Sequence, residues 1–229
     1  MTGPGTGRAD PQERRIKALT TPRSAAFAGV AFAVLFGVSM VLLRLSFAEH
    51  QLSGTPLSAP SRFRLATAIV LVPIAGIAFL WFLGVVRDRI GDLEDRFFST
   101  VYLGSGLLFL AMVFVAMALV GGILATAEAT DASQASQREI VAFGRAVMLQ
   151  VANVYALRMA AVFMISLSTT WLRSGTAPRW LVIATYVVAV CLLVVTSLSL
   201  WVELVFPGWV LLVSVYVLVT VRRSARPPL

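Results

Sequence analysis

The sequence predicts an all-α fold, in which a polytopic membrane protein forms a bundle of six transmembrane helices. Two features of the composition predict it: 59% of the 229 residues are hydrophobic and only 13% are charged. A soluble domain usually contains about 25% charged residues. The third observation is that the apolar residues form six runs, each close to the roughly 20 residues that a helix needs to cross a bilayer.

The predicted spans follow in the order 25–47, 65–86, 99–125, 148–172, 180–200 and 205–221. Residues 1–24 are then a basic, flexible cytoplasmic tail, residues 25–221 the transmembrane domain, and residues 222–229 a second basic cytoplasmic tail. None of the runs alternates as a barrel strand does, and a helix satisfies its own backbone groups in lipid. The first run exceeds the roughly 7–15 apolar residues of a signal peptide, which favours a retained span.

The N-terminal tail contains a helix-start signal, Asp10-Pro11-Gln12-Glu13, which predicts a short basic helix over residues 11–19. This helix could lie on the inner membrane surface, where anionic lipid would attract it. Alternatively, the tail is solvated and acts only as a signal for orientation. Because both tails are basic, anionic lipid is an expected partner in addition to the bilayer itself.

The Lys and Arg residues predict the orientation of the chain, because cytoplasmic segments carry an excess of them. The tails and the alternate connections contain thirteen, namely Arg8, Arg14, Arg15, Lys17, Arg23, Arg87, Arg89, Arg96, Arg173, Arg179, Arg222, Arg223 and Arg226. The other connections contain five, namely Arg44, Arg62, Arg64, Arg138 and Arg145. Both termini are therefore predicted to be cytoplasmic.

The connection after the second span concentrates acidic and basic residues between two apolar runs. Read as a helix, it places Asp88, Asp92 and Asp95 along one face, and carboxylates are ligands for hard divalent cations. The neighbouring arginines oppose such a metal site by neutralising it. Opposite charges along a helix more often form a solvated face, so a tight cytoplasmic connector is the favoured interpretation and the metal site a weak candidate.

The fourth span carries a charge within the bilayer. Arg158 lies about 22 Å along the helix from Arg173 at the inner surface, and an arginine at that depth should face the bundle and have a partner. Glu203, in the short turn before the last span, is the preferred partner. The sequence thus predicts a polar pocket in the outer half of the bilayer, formed by Arg44, Glu49, Gln150, Asn153, Tyr155, Arg158 and Glu203. The alternative is that Arg158 is only structural.

Four small residues, Ala25, Gly29, Ala33 and Gly37, repeat every fourth position along the first span. Small residues let helices approach closely in membranes. The stripe therefore predicts a packing surface for another helix, either within the chain or in a second copy or membrane partner.

Several kinds of chemistry lack the residues they need. The single cysteine, Cys191, cannot form a redox pair, and the single histidine, His50, cannot supply a bis-histidine haem site or a His/Cys zinc set. The basic residues lie between apolar runs rather than on one folded face, so no nucleic acid is expected. No cofactor is expected either. The sequence favours a non-enzymatic partner-binding subunit or small-solute permeation unit, and the alternative is a membrane-embedded enzyme acting on lipid.

The run FLWFLGVVRDRIGDLEDRFFSTVYLGSGLLFLAMVF, residues 79–114, resembles a stretch of uncharacterised multi-pass integral membrane proteins of actinobacteria. The resemblance implies a bacterial plasma-membrane protein, and it implies no activity.

Overall fold

A computed structural model describes residues 11–53, 58–90, 96–128, 134–175, 177–194 and 200–224, and this part of the chain is helical without strands. The elements are α1 (Pro11–Ser53), α2 (Ala59–Ile90), α3 (Arg96–Glu128), α4 (Gln134–Gln150), a π-helical segment (Val151–Ala156), α5 (Leu157–Ser174), α6 (Arg179–Val194), α7 (Leu200–Glu203) and α8 (Val205–Ser224). The all-α fold is confirmed.

Within the described residues, four stretches of helix are long and apolar enough to cross a membrane: Ala26–Glu49, Ala59–Arg87, Phe97–Thr126 and Arg138–Ser174. Two shorter apolar helices, Arg179–Val194 and Val205–Thr220, complete the bundle. A helical membrane bundle therefore agrees with the prediction.

Helix α1 extends from Pro11 to Ser53, so residues 11–24 are helical and continuous with the first span. That these residues form a cytoplasmic tail stays a prediction. Residues 1–10 lie outside the described part of the chain.

The fourth span is part of one long helical rod. Helix α4, the π-helical segment and α5 follow one another from Gln134 to Ser174 without an intervening turn. The rod ends because Gly175 adopts a left-handed backbone conformation with φ 63°, which glycine takes without the steric cost of a Cβ atom. Pro178 then precedes the first residue of α6.

Two groups of contacts identify the two ends of the bundle. At one end, which we call the Glu49 end, Glu49 near the end of α1 contacts the start of α2. At the opposite end, which we call the Arg173 end, the guanidinium carbon of Arg173 lies 4.5 Å from the ring centroid of Phe98. Trp180 of α6 and Tyr216 of α8 also pack together there.

The centre of the bundle is a cluster of five buried phenylalanines, one from each of five helices. They are Phe32 of α1, Phe79 of α2, Phe109 of α3, Phe163 of α5 and Phe206 of α8. The ring centroid of Phe79 lies 4.8 Å from that of Phe32, 5.5 Å from that of Phe109 and 5.7 Å from that of Phe163. Those of Phe109 and Phe206 are 4.6 Å apart. Edge-on and tilted contacts of this kind stabilise by about 0.5–1.5 kcal/mol per pair beyond the burial of area.

The small-residue stripe of α1 packs partly within the chain. A Cβ atom at Gly29 would overlap the hydroxyl oxygen of Ser214 and lie 3.0 Å from the ring of Phe82, so α8 and α2 approach α1 closely there. Ala33 is buried, whereas a Cβ atom at Gly37 would meet nothing within 4 Å. Packing on a second copy stays a prediction.

The phenylalanine cluster predicts the effect of matched truncations on α2. Replacing Phe79 by Ala leaves a cavity among four other rings, and we expect the free energy of unfolding to fall by about 3 kcal/mol. Phe63→Ala, at a side chain that is 74% exposed, should change it little. Thermal unfolding of the two variants in the same detergent measures the difference. Equal losses would show that the cluster is not the core of the bundle.

Candidate functional site

A small cavity opens inside the bundle, between the phenylalanine cluster and the Glu49 end. It leaves about 20 Å³ for the centre of a water-sized sphere, which is enough for about one water molecule. The side chains around it come from α1, α3, α4, the π-helical segment, α5 and α7. They are Phe36, Met40, Leu43, Phe109, Val113, Ala116, Met117, Met148, Ala152, Ala156, Leu157 and Glu203.

Glu203 is the only one of these lining residues with a charged or hydrogen-bonding side chain. It is the last residue of α7, and it is only 6% exposed. One carboxyl oxygen, Oε1, is buried and has no hydrogen-bond partner in the described part of the chain. Buried polar atoms are nearly always hydrogen-bonded, so this oxygen needs an explanation.

Glu203, which the sequence places in the short turn before the last span, lies inside the bundle. Phe206, three residues later, belongs to the central phenylalanine cluster and is fully buried. Helix α8 therefore begins inside the bundle. Glu203, two residues before it, lies beside Phe36 and Phe109, which stand near the middle of their own spans.

The π-helical segment forms one wall of the cavity through Ala152 and Ala156. Asn153 of the same segment is 2% exposed and donates from its amide nitrogen to the carbonyl oxygen of Leu149 at 3.2 Å. Its own carbonyl oxygen, Oδ1, has no hydrogen-bond partner in the described residues. Single π-helical turns occur often at functional sites, where they change the direction in which side chains project.

The structure does not gather the seven predicted pocket residues into one pocket. Of the seven, only Glu203 lines the cavity. Gln150 and Tyr155 have exposed side chains, and Arg44 is half-buried on α1. The remaining members of the prediction are Glu49, Asn153 and Arg158, and each of these makes its hydrogen bonds elsewhere.

Arg158 does not form the predicted ion pair with Glu203. Its guanidinium donates to the backbone carbonyl oxygen of Val154 at 2.7 Å, one turn back on its own helix. An ion pair joins Arg64 to Glu49 instead. The predicted pair was argued from depth alone, and depth does not determine which way a side chain points around its helix.

Glu49 is held at the junction of α1 and α2. Its carboxylate accepts hydrogen bonds from the hydroxyl groups of Ser58 at 2.8 Å and Ser61 at 2.9 Å, and it forms an ion pair with Arg64. Ser61 is buried, and the hydroxyl of Ser46 on α1 donates to its carbonyl oxygen at 3.3 Å. These contacts connect the two helices at the Glu49 end and explain Glu49 as a structural residue.

A contact between Arg145 and Phe47 covers the cavity on the side of the Glu49 end. Arg145 precedes the cavity residue Met148 by three positions on α4, and Phe47 follows the cavity residue Leu43 by four positions on α1. Each is thus one turn nearer the Glu49 end. The guanidinium carbon of Arg145 lies 5.6 Å from the ring centroid of Phe47, within the range of a cation–π contact.

The candidate divalent-cation site falls largely outside the described residues. Asp92 and Asp95 lie outside the described residues, and Asp88 is placed only by its backbone in the last turn of α2. Within the described ranges, no group of three or more His, Cys, Asp or Glu residues stands close enough to hold a metal ion.

Sequence reasoning missed three methionines that line the cavity: Met40, Met117 and Met148. They come from α1, α3 and α4, one from each helix. No local pattern distinguishes them from the apolar residues around them, so no sequence signal could have identified them. Comparison of the chain with family models, curated proteins and solved structures finds no match.

The Glu49 contacts predict a measurable coupling with Arg64. In a double-mutant cycle of Glu49→Gln and Arg64→Met, the double variant should lose less stability than the sum of the single losses, because either change breaks the same ion pair. Thermal unfolding in detergent measures it. As a control, Glu139→Gln with Arg64→Met should be additive, because Glu139 is exposed on α4 and forms no ion pair with Arg64. Additive losses for the first pair would contradict the structural role.

Proposed function

We propose that this chain is a non-enzymatic plasma-membrane protein that binds a small cation, and that it acts as a small-solute permeation or binding unit with Glu203 as the binding group. The observation that carries the proposal is the buried carboxyl oxygen of Glu203 that faces the cavity without a hydrogen-bond partner. A cation or a donor group in the cavity would complete its coordination.

A purely structural role for Glu203 has little support. A buried carboxyl group usually persists because it forms an ion pair or a set of hydrogen bonds. Oε1 has neither among the described residues, and every other side chain around the cavity is apolar. Because acidic residues inside membranes cost at least about 2.5 kcal/mol near the bilayer centre, those that occur usually belong to ion or substrate sites.

The size of the cavity limits what can bind. Pockets for organic ligands enclose about 300–1,000 Å³, whereas this one leaves about 20 Å³ for the centre of a water-sized sphere. The cavity therefore suits a single small ion and excludes a metabolite or a lipid head group unless the helices move apart. This favours a small-cation site over a partner-binding role for the same residues.

The proposal includes an orientation, with both termini in the cytoplasm and the Glu49 end outside. Its support is the distribution of Arg and Lys residues described above. In this orientation, the Glu203 cavity lies in the outer half of the bilayer, and the basic tails face the anionic lipid of the inner leaflet.

Reporter fusions test the orientation. A reporter fused after Leu229 should be active only in the cytoplasm, and one inserted at Ser133 only on the external side, because the basic segments are retained inside. A fusion in the connection after α2, for example at Gly91, is a further control and should behave like the one at Leu229. Inverted activities would reverse the assignment of the two ends.

Cation-dependent stability tests the role of Glu203. We expect at least one of the nitrate salts of Na⁺, K⁺, methylammonium and Ag⁺ to raise the unfolding temperature of the otherwise wild-type protein, because a ligand that binds only the folded state stabilises it. All proteins in this test carry Cys191→Ala, because the exposed thiol would bind Ag⁺ itself. Glu203→Gln should reduce the rise. Glu139→Gln, which removes an exposed carboxylate from α4, should retain it. If wild type and Glu203→Gln respond alike to every salt, the proposal is wrong.

A further inference from the structure

We infer that the cation held in this cavity is a soft monovalent metal ion, Cu⁺ or its chemical analogue Ag⁺, bound by the thioether sulfurs of Met40, Met117 and Met148 with the Glu203 carboxylate as counter-charge. The inference rests on the proposed function, because it assigns a chemical class to the cation that Glu203 would bind.

The first observation is the convergence of the four side chains. Met40, Met117 and Met148 are 4%, 6% and 2% exposed, and each lines the same small cavity as Glu203. They belong to α1, α3 and α4, and Glu203 belongs to α7, so four separate elements contribute one potential ligand each. Because methionine side chains are unbranched and flexible, their sulfur atoms can adjust to a shared ion without movement of the helices.

The second observation is the shortage of oxygen donors. Hard cations such as Ca²⁺ take about six to eight oxygen ligands, and Mg²⁺ is bound mainly by oxygen. The cavity offers one carboxylate, and the other lining side chains are methionine, phenylalanine or aliphatic residues. Thioether sulfur is a soft ligand that selects Cu⁺ over hard ions. The available donors therefore match a soft ion far better than Na⁺, K⁺ or a hard divalent cation.

The third observation concerns charge. One carboxylate and one monovalent cation together are neutral, and an ion pair without net charge is the form in which charged groups are tolerated in an apolar interior. A divalent cation would leave one uncompensated positive charge in the same cavity. No other charged side chain lines it.

Methionine also fills irregular gaps in apolar cores, and this is the alternative that an experiment must separate from metal binding. The chain offers a matched control for this purpose. Besides the three cavity methionines, the described helices contain Met112, Met159 and Met164, which are half-buried or buried but do not line the cavity. Replacing either set by leucine preserves volume, so both triple variants should fold.

The experiment is an isothermal titration calorimetry measurement. Ag⁺ is titrated into the full chain in detergent and chloride-free nitrate buffer. Silver is used because it is soft and monovalent and does not need a reductant. Every variant carries Cys191→Ala, because Cys191 is an exposed free thiol that would bind the probe itself. We expect one Ag⁺ per chain. Met40→Leu/Met117→Leu/Met148→Leu should lose the site, whereas Met112→Leu/Met159→Leu/Met164→Leu should retain it.

Glu203→Gln provides an independent readout. It should weaken Ag⁺ binding by about tenfold or more, the loss typical when a group that supports a metal site is removed. If the cavity triple variant does not fold, the single variants Met40→Leu, Met117→Leu and Met148→Leu replace it. Each of them should bind Ag⁺ more weakly than the single variants of the control methionines do. Equal Ag⁺ affinity of the cavity and control variants would overturn the inference.

The outcomes also separate this inference from the proposal on which it rests. If Ag⁺ does not bind, but Na⁺, K⁺ or methylammonium stabilises the protein in a manner that depends on Glu203, the soft-ion assignment fails and the cation site stands. If no cation gives a response that depends on Glu203, both fail. A site for Ag⁺ that requires the three cavity methionines and is weakened by Glu203→Gln supports both.

Discussion

The meeting of five phenylalanine rings, from α1, α2, α3, α5 and α8, determines where the other elements of the bundle can lie. In a bilayer, helices gain little from burying apolar side chains, because lipid is equally apolar, so close packing decides how they associate. The ring of Phe206 takes part in this packing although it is the second residue of α8. Helix α8 therefore starts at the depth of the cluster. As a result the residues just before α8, including Glu203, lie inside the bundle. The cavity forms where α7 meets the π-helical segment.

The hydroxyl groups of the bundle show by contrast why Glu203 is unusual. Ser39, Ser166 and Thr170 each donate to the backbone carbonyl four residues earlier on their own helix. Such bonds satisfy a polar side chain without a partner from another helix. A glutamate has no proton to donate when ionised, and a helix interior offers it no free backbone donor. Its carboxylate must find a donor or a cation on another element, which the serines and threonines need not do.

The positions of most helices could be predicted from the sequence, but the contacts of the candidate site could not. Apolar runs located α2, α3 and α8 well, because the bilayer requires such runs wherever a helix crosses it. The pairing of Glu49 with Arg64 and the depth of Glu203 could not be predicted, because hydropathy gives the position of a residue along its own helix but not the offset between neighbouring helices. That offset depends on which aromatic rings interlock. The π-helical segment could not be predicted either, since Val151–Ala156 contains no glycine or proline that would mark a break.

The contact of Arg145 with Phe47 has a kinetic consequence for any cation that reaches Glu203 from the Glu49 end. A guanidinium group stands one turn before the cavity, and Arg145 Nε is buried there without a hydrogen-bond partner in the described residues. A positive charge at that place repels an approaching cation and also hinders its departure by the same route. An ion that binds beyond it would exchange slowly and have a long residence time. Under the proposed function, the exchange of the bound ion at this end would then be limited by the position of Arg145.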